Sequence, residues 1–298
     1  MVDNYEVKSE LLYLKEYGFS ETLLEEIYLK KFNPIDVIFK DNFSFVYDID
    51  YILSKEESIL ASDYEQYIKF KKIFYKENFS TYCNGLIKIN KVFFKYDCNN
   101  LNYYFKNDFQ PLFMYASGKL DLLDMNKRKI AIIGSRDPNN ENLRIVRDCV
   151  KHFNKKDYVI VSGFAKGIDL ESHIVALCNS YNTIAILPSS FKNIYPLGYS
   201  NIAYDISKKG LLLSSFGPNS KLRKENFLER NKYIASISDI LVVIEVNLRS
   251  GTMNTIRTAV SLGKKVFCFK QKKSDVNNEI KKLGGILIES VDEIWYHS

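Results

Sequence analysis

The chain has 298 residues, 46% hydrophobic and 26% charged, a balance typical of globular proteins and long enough for one large domain with a smaller companion. Its formal net charge of +6 suits an acidic polymer as partner without demanding one. The five cysteines (Cys83, Cys98, Cys149, Cys178, Cys268) are scattered and never spaced as CxxC, and His152, His173 and His297 lie far apart, which argues against a disulfide framework or a zinc site and for a reducing compartment.

Nothing in the opening MVDNYEVKSELLYL resembles a secretory signal, and no apolar run reaches the length of a membrane span, so a cytoplasmic protein with no membrane partner is expected. The first 105 residues, rich in Lys, Tyr, Phe, Asn and Glu, read as a small helical accessory domain. Leu11-Leu12-Tyr13-Leu14 predicts a helix stopped at Tyr17-Gly18. A second helix is expected to start between Ser20 and Thr22 and to run through Ile27, with Thr22 and Glu25 at capping-box spacing and Ser20 as the alternative cap. A further helix is read over residues 52–75, and Asn84-Gly85, ahead of the alternating run 86–92, signals a hairpin.

From about residue 110 short apolar runs alternate with amphipathic segments. The runs at 129–133, 158–161, 183–187, 211–213, 240–244, 266–269 and 286–288 have the Val, Ile and Leu content of strands covered on both faces. Between them, Leu143, Val146, Val150 and Phe153 recur at helical spacing, preceded by Asp137-Pro138 as cap and first-turn proline. Cys149, Cys178 and Cys268 fall in such periodic segments, where a thiol packs as a small hydrophobe. Residues 106–298 are therefore expected to form a Rossmann-like α/β domain, a doubly wound and mostly parallel sheet.

In such sheets ligands bind beyond the carboxyl ends of the strands, and four strand ends here are rich in small and cationic residues. The first carries Gly134-Ser135-Arg136 at the mouth of a helix, which suits a phosphate and equally a tight turn. The second carries Ser162-Gly163-Phe164-Ala165-Lys166-Gly167-Ile168-Asp169, where Lys166 offers a point charge and Asp169 a helix cap. His173, one helical turn on, reads as a packing or hydrogen-bonding residue. The third runs from Gly217 through Lys221, Arg223, Lys224 and Phe227 to Arg230-Asn231-Lys232, cations around a lone aromatic, as single strands are held, or else a solvated charge run. The fourth is Glu245 followed by Arg249-Ser250-Gly251-Thr252, a helix start suited to an anion or simply capped by Ser250. No nucleophile with an adjacent base and no paired carboxylates stand out.

Taken in order, these segments resemble the DNA processing protein A (DprA/Smf) family. The matching residues are Pro111 to Tyr115 with Gly118, Ala131 to Arg136, Val161 to Asp169 with His173, Ile194-Tyr195-Pro196, Gly210 to Ser214, Asn226 to Asn231, Ser250 to Met253 and Leu283 to Leu287. The resemblance implies a non-enzymatic, Rossmann-fold, homodimeric recombination mediator that binds single-stranded DNA, protects it and loads a RecA-type recombinase in natural transformation, with no cofactor. It implies a DNA pocket lined by Gly134, Ser135, Arg136, Ser162, Gly163, Lys166, Gly167, Lys224, Phe227, Arg230, Asn231 and Ser250. The apolar stretch Ile286-Leu287-Ile288 with Ile294-Trp295 can serve that dimer or complete a monomer's own core. Departures are Ser214-Ser215-Phe216 in place of Ser-Glu-Tyr, Lys270-Gln271 in place of Pro-Gly, and no C-terminal winged-helix module.

Two other readings share the fold. A phosphoribohydrolase-type enzyme would carry a glutamate after its Gly-Gly-x-Gly-Thr motif, and Thr255 stands at that place. A sensor of a nucleotide-derived ligand would use the same crevice.

Overall fold

The computed structural model describes residues 4–34, 91–97, 101–105 and 109–296. The helix expected over 52–75 and the turn at Asn84-Gly85 lie outside the described residues. In chain order the strands are β1 (Lys91–Phe94), β2 (Phe113–Gly118), β3 (Lys129–Ile133), β4 (Val159–Ser162), β5 (Thr183–Ile186), β6 (Leu211–Ser214), β7 (Ile240–Val243), β8 (Lys265–Phe269) and β9 (Ile286–Ile288). The longer helices are α1 (Asn4–Glu16), α2 (Glu21–Leu29), α3 (Asn140–Asn154), α4 (Ile168–Cys178), α5 (Ser200–Lys209), α6 (Lys224–Ile237), α7 (Gly251–Ser261) and α8 (Ser274–Lys282).

All these strands join one sheet in the order β1-β2-β6-β5-β4-β3-β7-β8-β9. Strands β3 to β9 pair in parallel, and β1 and β2 add an antiparallel edge. The parallel part starts at β3, builds outward through β4, β5 and β6, then crosses back to β7 and continues through β8 to β9. The strand order therefore reverses between β3 and β7, which pair from Ile130↔Ile240 to Ile133↔Val243. A crevice opens beyond the carboxyl ends at such a switch point because the two following segments leave in opposite directions.

Helices cover both faces of the sheet, which is why the strands are apolar throughout rather than alternating. On one face Ala131, Ile133, Val161, Leu241 and Val243 meet Ile234 and Ile237 of α6 and Met253 and Ile256 of α7. On the other, Ile130, Ile132, Ile160 and Val242 meet Val146, Val150 and Phe153 of α3 and Ile168 and Val175 of α4. Each such aliphatic side chain contributes about 1.5–3 kcal/mol through burial.

Several expectations change in detail. Asn139, not Asp137, caps α3: its extended backbone lets Oδ1 accept the Asn142 N–H at 2.8 Å, and Pro138 precedes the cap. Ser20, not Thr22, caps α2, its Oγ accepting from the Leu23 N–H, while Glu25 turns outward to Lys95 and Tyr96. Cys178, at the last turn of α4, is exposed, whereas Cys149 and Cys268 are buried as expected. Ile288 and Ile294 lie in the core of their own chain, so the C-terminal apolar stretch is largely used within the protomer.

The N-terminal helices pack on the antiparallel edge. Leu11, Leu24 and Ile27 share a cluster with Phe94, Phe113 and Tyr115. Glu16, the last residue of α1, is buried, and its carboxylate takes the Tyr115 hydroxyl and, at 3.1 Å, the Asn219 N–H. A Cβ at Gly217 would fall 1.5 Å from Glu16 Oε1. The start of the loop after β6, ahead of its run of cations, thus holds a carboxylate of the same chain.

Candidate nucleic-acid interface

A cavity of 380 Å³ opens at the switch point between β3 and β7. Gly134, Ser135 and Arg136 after β3, Ala165 and Asp169 after β4, Phe227, Arg230 and Asn231 of α6, and, after β7, Glu245, Val246, Asn247, Ser250, Gly251, Thr252 and Thr255 contribute to its wall. It therefore gathers Gly134, Ser135, Arg136, Phe227, Arg230, Asn231 and Ser250 of the expected pocket. Ser162, Gly163, Lys166, Gly167 and Lys224 are not in that wall. Lys166 and Lys224 are exposed on the loops and helix start around it.

The remaining three shape the loops from behind. Ser162 is fully buried and donates its hydroxyl to the Ile132 carbonyl at 2.6 Å, a stitch inside the sheet. A Cβ at Gly163 would meet the Arg230 guanidinium at 1.3 Å, so only glycine lets α6 approach. Gly167 has φ +88° and precedes α4, and a Cβ there would lie 2.4 Å from the Ser135 carbonyl oxygen. That oxygen accepts the Ile168 N–H at 3.1 Å, so the loops after β3 and β4 are locked together by the residue that opens α4.

Asp169 and Arg230 form the buried brace of the site. The Asp169 carboxylate accepts from the Gly163 N–H at 3.2 Å and the Ala165 N–H at 3.4 Å, and pairs with the Arg230 guanidinium at 3.4 Å. Arg230 also donates to the Gly163 carbonyl. Burial pushes the Asp169 carboxyl up and the Arg230 guanidinium down, and each is the main charge opposing that shift in the other. Breaking such a pair from one side strands a charge and costs several kcal/mol. Arg230 thus faces the cavity as a braced wall, with only its Nε buried and unpartnered. His173 sits behind this brace, fully buried, with Nδ1 2.8 Å from Thr183 Oγ1. Burial pushes its imidazole down to about 3, so it is a neutral packing residue, as its place in the sequence suggested.

Arg136 carries an exposed charge in the cavity wall. Its guanidinium lies over the Phe227 ring, 5.5 Å from the centroid, within cation–π range. Phe227 is half-buried, and Tyr195 meets it edge-on at 5.4 Å and 85°. The ring is thus held by its neighbours and still presents surface to the cavity. Ser250 stands at the N-cap of α7, yet its hydroxyl makes no cap bond and its Oγ is buried without a partner. The Glu245 carboxylate likewise has a buried Oε2 with no hydrogen-bond partner. Arg230 Nε, Glu245 Oε2 and Ser250 Oγ are buried without a hydrogen-bond partner, and their residues line this cavity. Sequence reading placed Glu245 at a strand end without assigning it to the site, because a carboxylate there is indistinguishable from any solvated loop acid.

Residues 99–297 match the family described as DNA recombination-mediator protein A. The chain belongs to that family. It is 34% identical over 157 residues to DNA processing protein DprA of Bacillus subtilis, covering 53% of this chain and 52% of the relative. The corresponding figures for the Streptococcus pneumoniae protein are 34% over 157 residues, 53% and 55%. The chain spans about half the length of these curated relatives. In fold it is similar to the crystal structure of Streptococcus pneumoniae DprA, with TM-score 0.73 at 24% identity over 97% of both chains. It is also similar to DNA processing protein A of Helicobacter pylori, in a study of that protein's single-stranded DNA binding mode, with TM-score 0.60 at 28% identity over 68% of this chain and 94% of that one. Among the described residues no helix is long and apolar enough to cross a membrane.

Proposed function

We propose that this recombination-mediator family member binds single-stranded DNA in the crevice between β3 and β7, protects it, and as a homodimer loads a RecA-type recombinase during natural transformation. The observation that carries the reading is the Arg136–Phe227 stack on the wall of a cavity that also holds unpartnered donors at Arg230 and Ser250. An exposed guanidinium and a half-buried ring side by side match the alternation of phosphate and base along an unpaired strand. Lys166 and Lys224, exposed nearby, extend the cationic rim along the backbone path. The single-stranded DNA binding mode named for the Helicobacter pylori relative supports the same ligand. Binding rather than catalysis is supported by Thr255, which lines the cavity where a phosphoribohydrolase would place its glutamate.

A stacked duplex hides its base faces from Phe227 and presents a groove for which the sequence offers no recognition-helix motif. Competition between single-stranded and duplex DNA of the same length tests the reading. The single strand is expected to displace a labelled single strand at the lower concentration, and equal or tighter duplex binding overturns it.

A further inference from the structure

Resting on the single-stranded DNA reading above, we infer that Glu245 makes the crevice selective for guanine, accepting hydrogen bonds from the paired N–H donors on a guanine's Watson–Crick edge while the base stacks at Phe227. Glu245 follows β7 at the switch point, and its position is fixed by tight packing on the other loop. A Cβ at Gly134 would lie 3.2 Å from both the Glu245 backbone N and O. Its side chain shares the cavity with Phe227 and Arg136, and its Oε2 is buried with no hydrogen-bond partner. Glu245 is half-buried at the cavity wall, and a carboxylate there accepts from a ligand that brings donors to it.

A DNA strand has few donors to bring. Phosphodiesters carry negative charge and none, and an internal deoxyribose has no free hydroxyl. The donors are base N–H groups. Thymine offers one imino N–H, and adenine and cytosine one amino group each. Guanine alone presents an imino N–H beside an amino group, two parallel donors that fit the two oxygens of a carboxylate in the manner of an arginine fork. The cavity of 380 Å³ falls in the roughly 300–1,000 Å³ range of pockets that enclose a small molecule, and Phe227 supplies the stacking surface such a base needs. Arg136 shares the cavity with this carboxylate, while Lys166 and Lys224 are exposed outside its wall, so strand binding and base choice rest on different side chains.

The test is a fluorescence-anisotropy competition with the full chain, using oligothymidylates that carry one central guanine, 7-deazaguanine, hypoxanthine or adenine. One guanine is expected to tighten binding roughly tenfold over the all-thymine strand. 7-Deazaguanine, which keeps both donors, should match it, while hypoxanthine, which lacks the amino group, and adenine should not. Glu245→Gln, close in shape, and Glu245→Ala should each bring the ratio of guanine to thymine affinity near one, checked on variants with a cooperative melt. A parent protein that binds oligothymidylate well but gains nothing from guanine overturns this inference and leaves the single-strand reading standing. So does a guanine preference that survives Glu245→Ala. Failure of the parent to bind any single strand overturns both.

Discussion

At the scale of single residues, the site divides into side chains spent on structure and side chains left for a ligand. Arg230 and Asp169 are paired with each other in the cavity wall, whereas Arg136 and Phe227 meet each other at its surface and the Ser250 hydroxyl has no partner. Phe227 is expected to contribute by stacking, which releases no counterions. Phe227→Ala should weaken single-strand binding by about 1–3 kcal/mol with the salt dependence little changed. Loss of the cooperative melt in that variant would instead make the ring structural, and parental affinity with a normal melt would remove the stacking role. His173 bears on stability rather than binding. Its folded pKa, held down to about 3 by burial, lies below the roughly 6.5 of an unfolded histidine, so between those values the unfolded chain takes up the extra proton. Stability should therefore fall as pH drops through that window, by about 2 kcal/mol at pH 5 from this group alone. Urea unfolding at pH 7 and pH 5 should show that drop in the parent and a smaller one in His173→Gln; equal drops would mean that other groups carry it.

At the scale of elements, the parallel strands were legible because strands covered on both faces are written in unbroken runs of Val, Ile and Leu, and β3 and β9 fall on their expected residues. The antiparallel edge was not. β1 and β2 are rich in aromatic residues packed against α1 and α2; those two helices were legible, but β2 was not read as a strand and the pairing of this edge with the helices could not be read locally. Cap choice at α2 and α3 also escaped, since Ser, Thr, Asp and Asn within a few residues compete and the backbone angle decides. For the site, the glycine-rich loops were legible as a group, but that Gly163 and Gly167 only let elements touch, while Gly134 both packs closely and lines the cavity, needs the third dimension. Gly167→Ala tests this packing role. With φ +88° and the Ser135 oxygen 2.4 Å from the added carbon, it should cost about 2 kcal/mol or more and lower the melting temperature by several degrees. An unchanged melt would show that the two loops are not locked there.

At the scale of the whole molecule, a sheet that winds both ways from β3 brings the loops after β3, β4 and β7 together with α6 at one crevice, where Arg136, Arg230 and one aromatic ring, Phe227, share a wall. The proposed homodimer draws its support from family membership, since Ile288 and Ile294 are already used inside the protomer. Light scattering at micromolar concentrations is expected to give twice the chain mass, and a monomer mass throughout would remove the dimer from the account. The central claim is that the switch-point crevice and its rim hold a DNA single strand by its phosphates. Its most direct test is the salt dependence of oligothymidylate binding for the parent and for folded Arg136→Ala and Lys166→Ala variants. Each lost phosphate contact should reduce the log–log slope by roughly 0.7 and weaken binding at low salt. If both variants keep the parental affinity and slope, the strand is not held in this crevice.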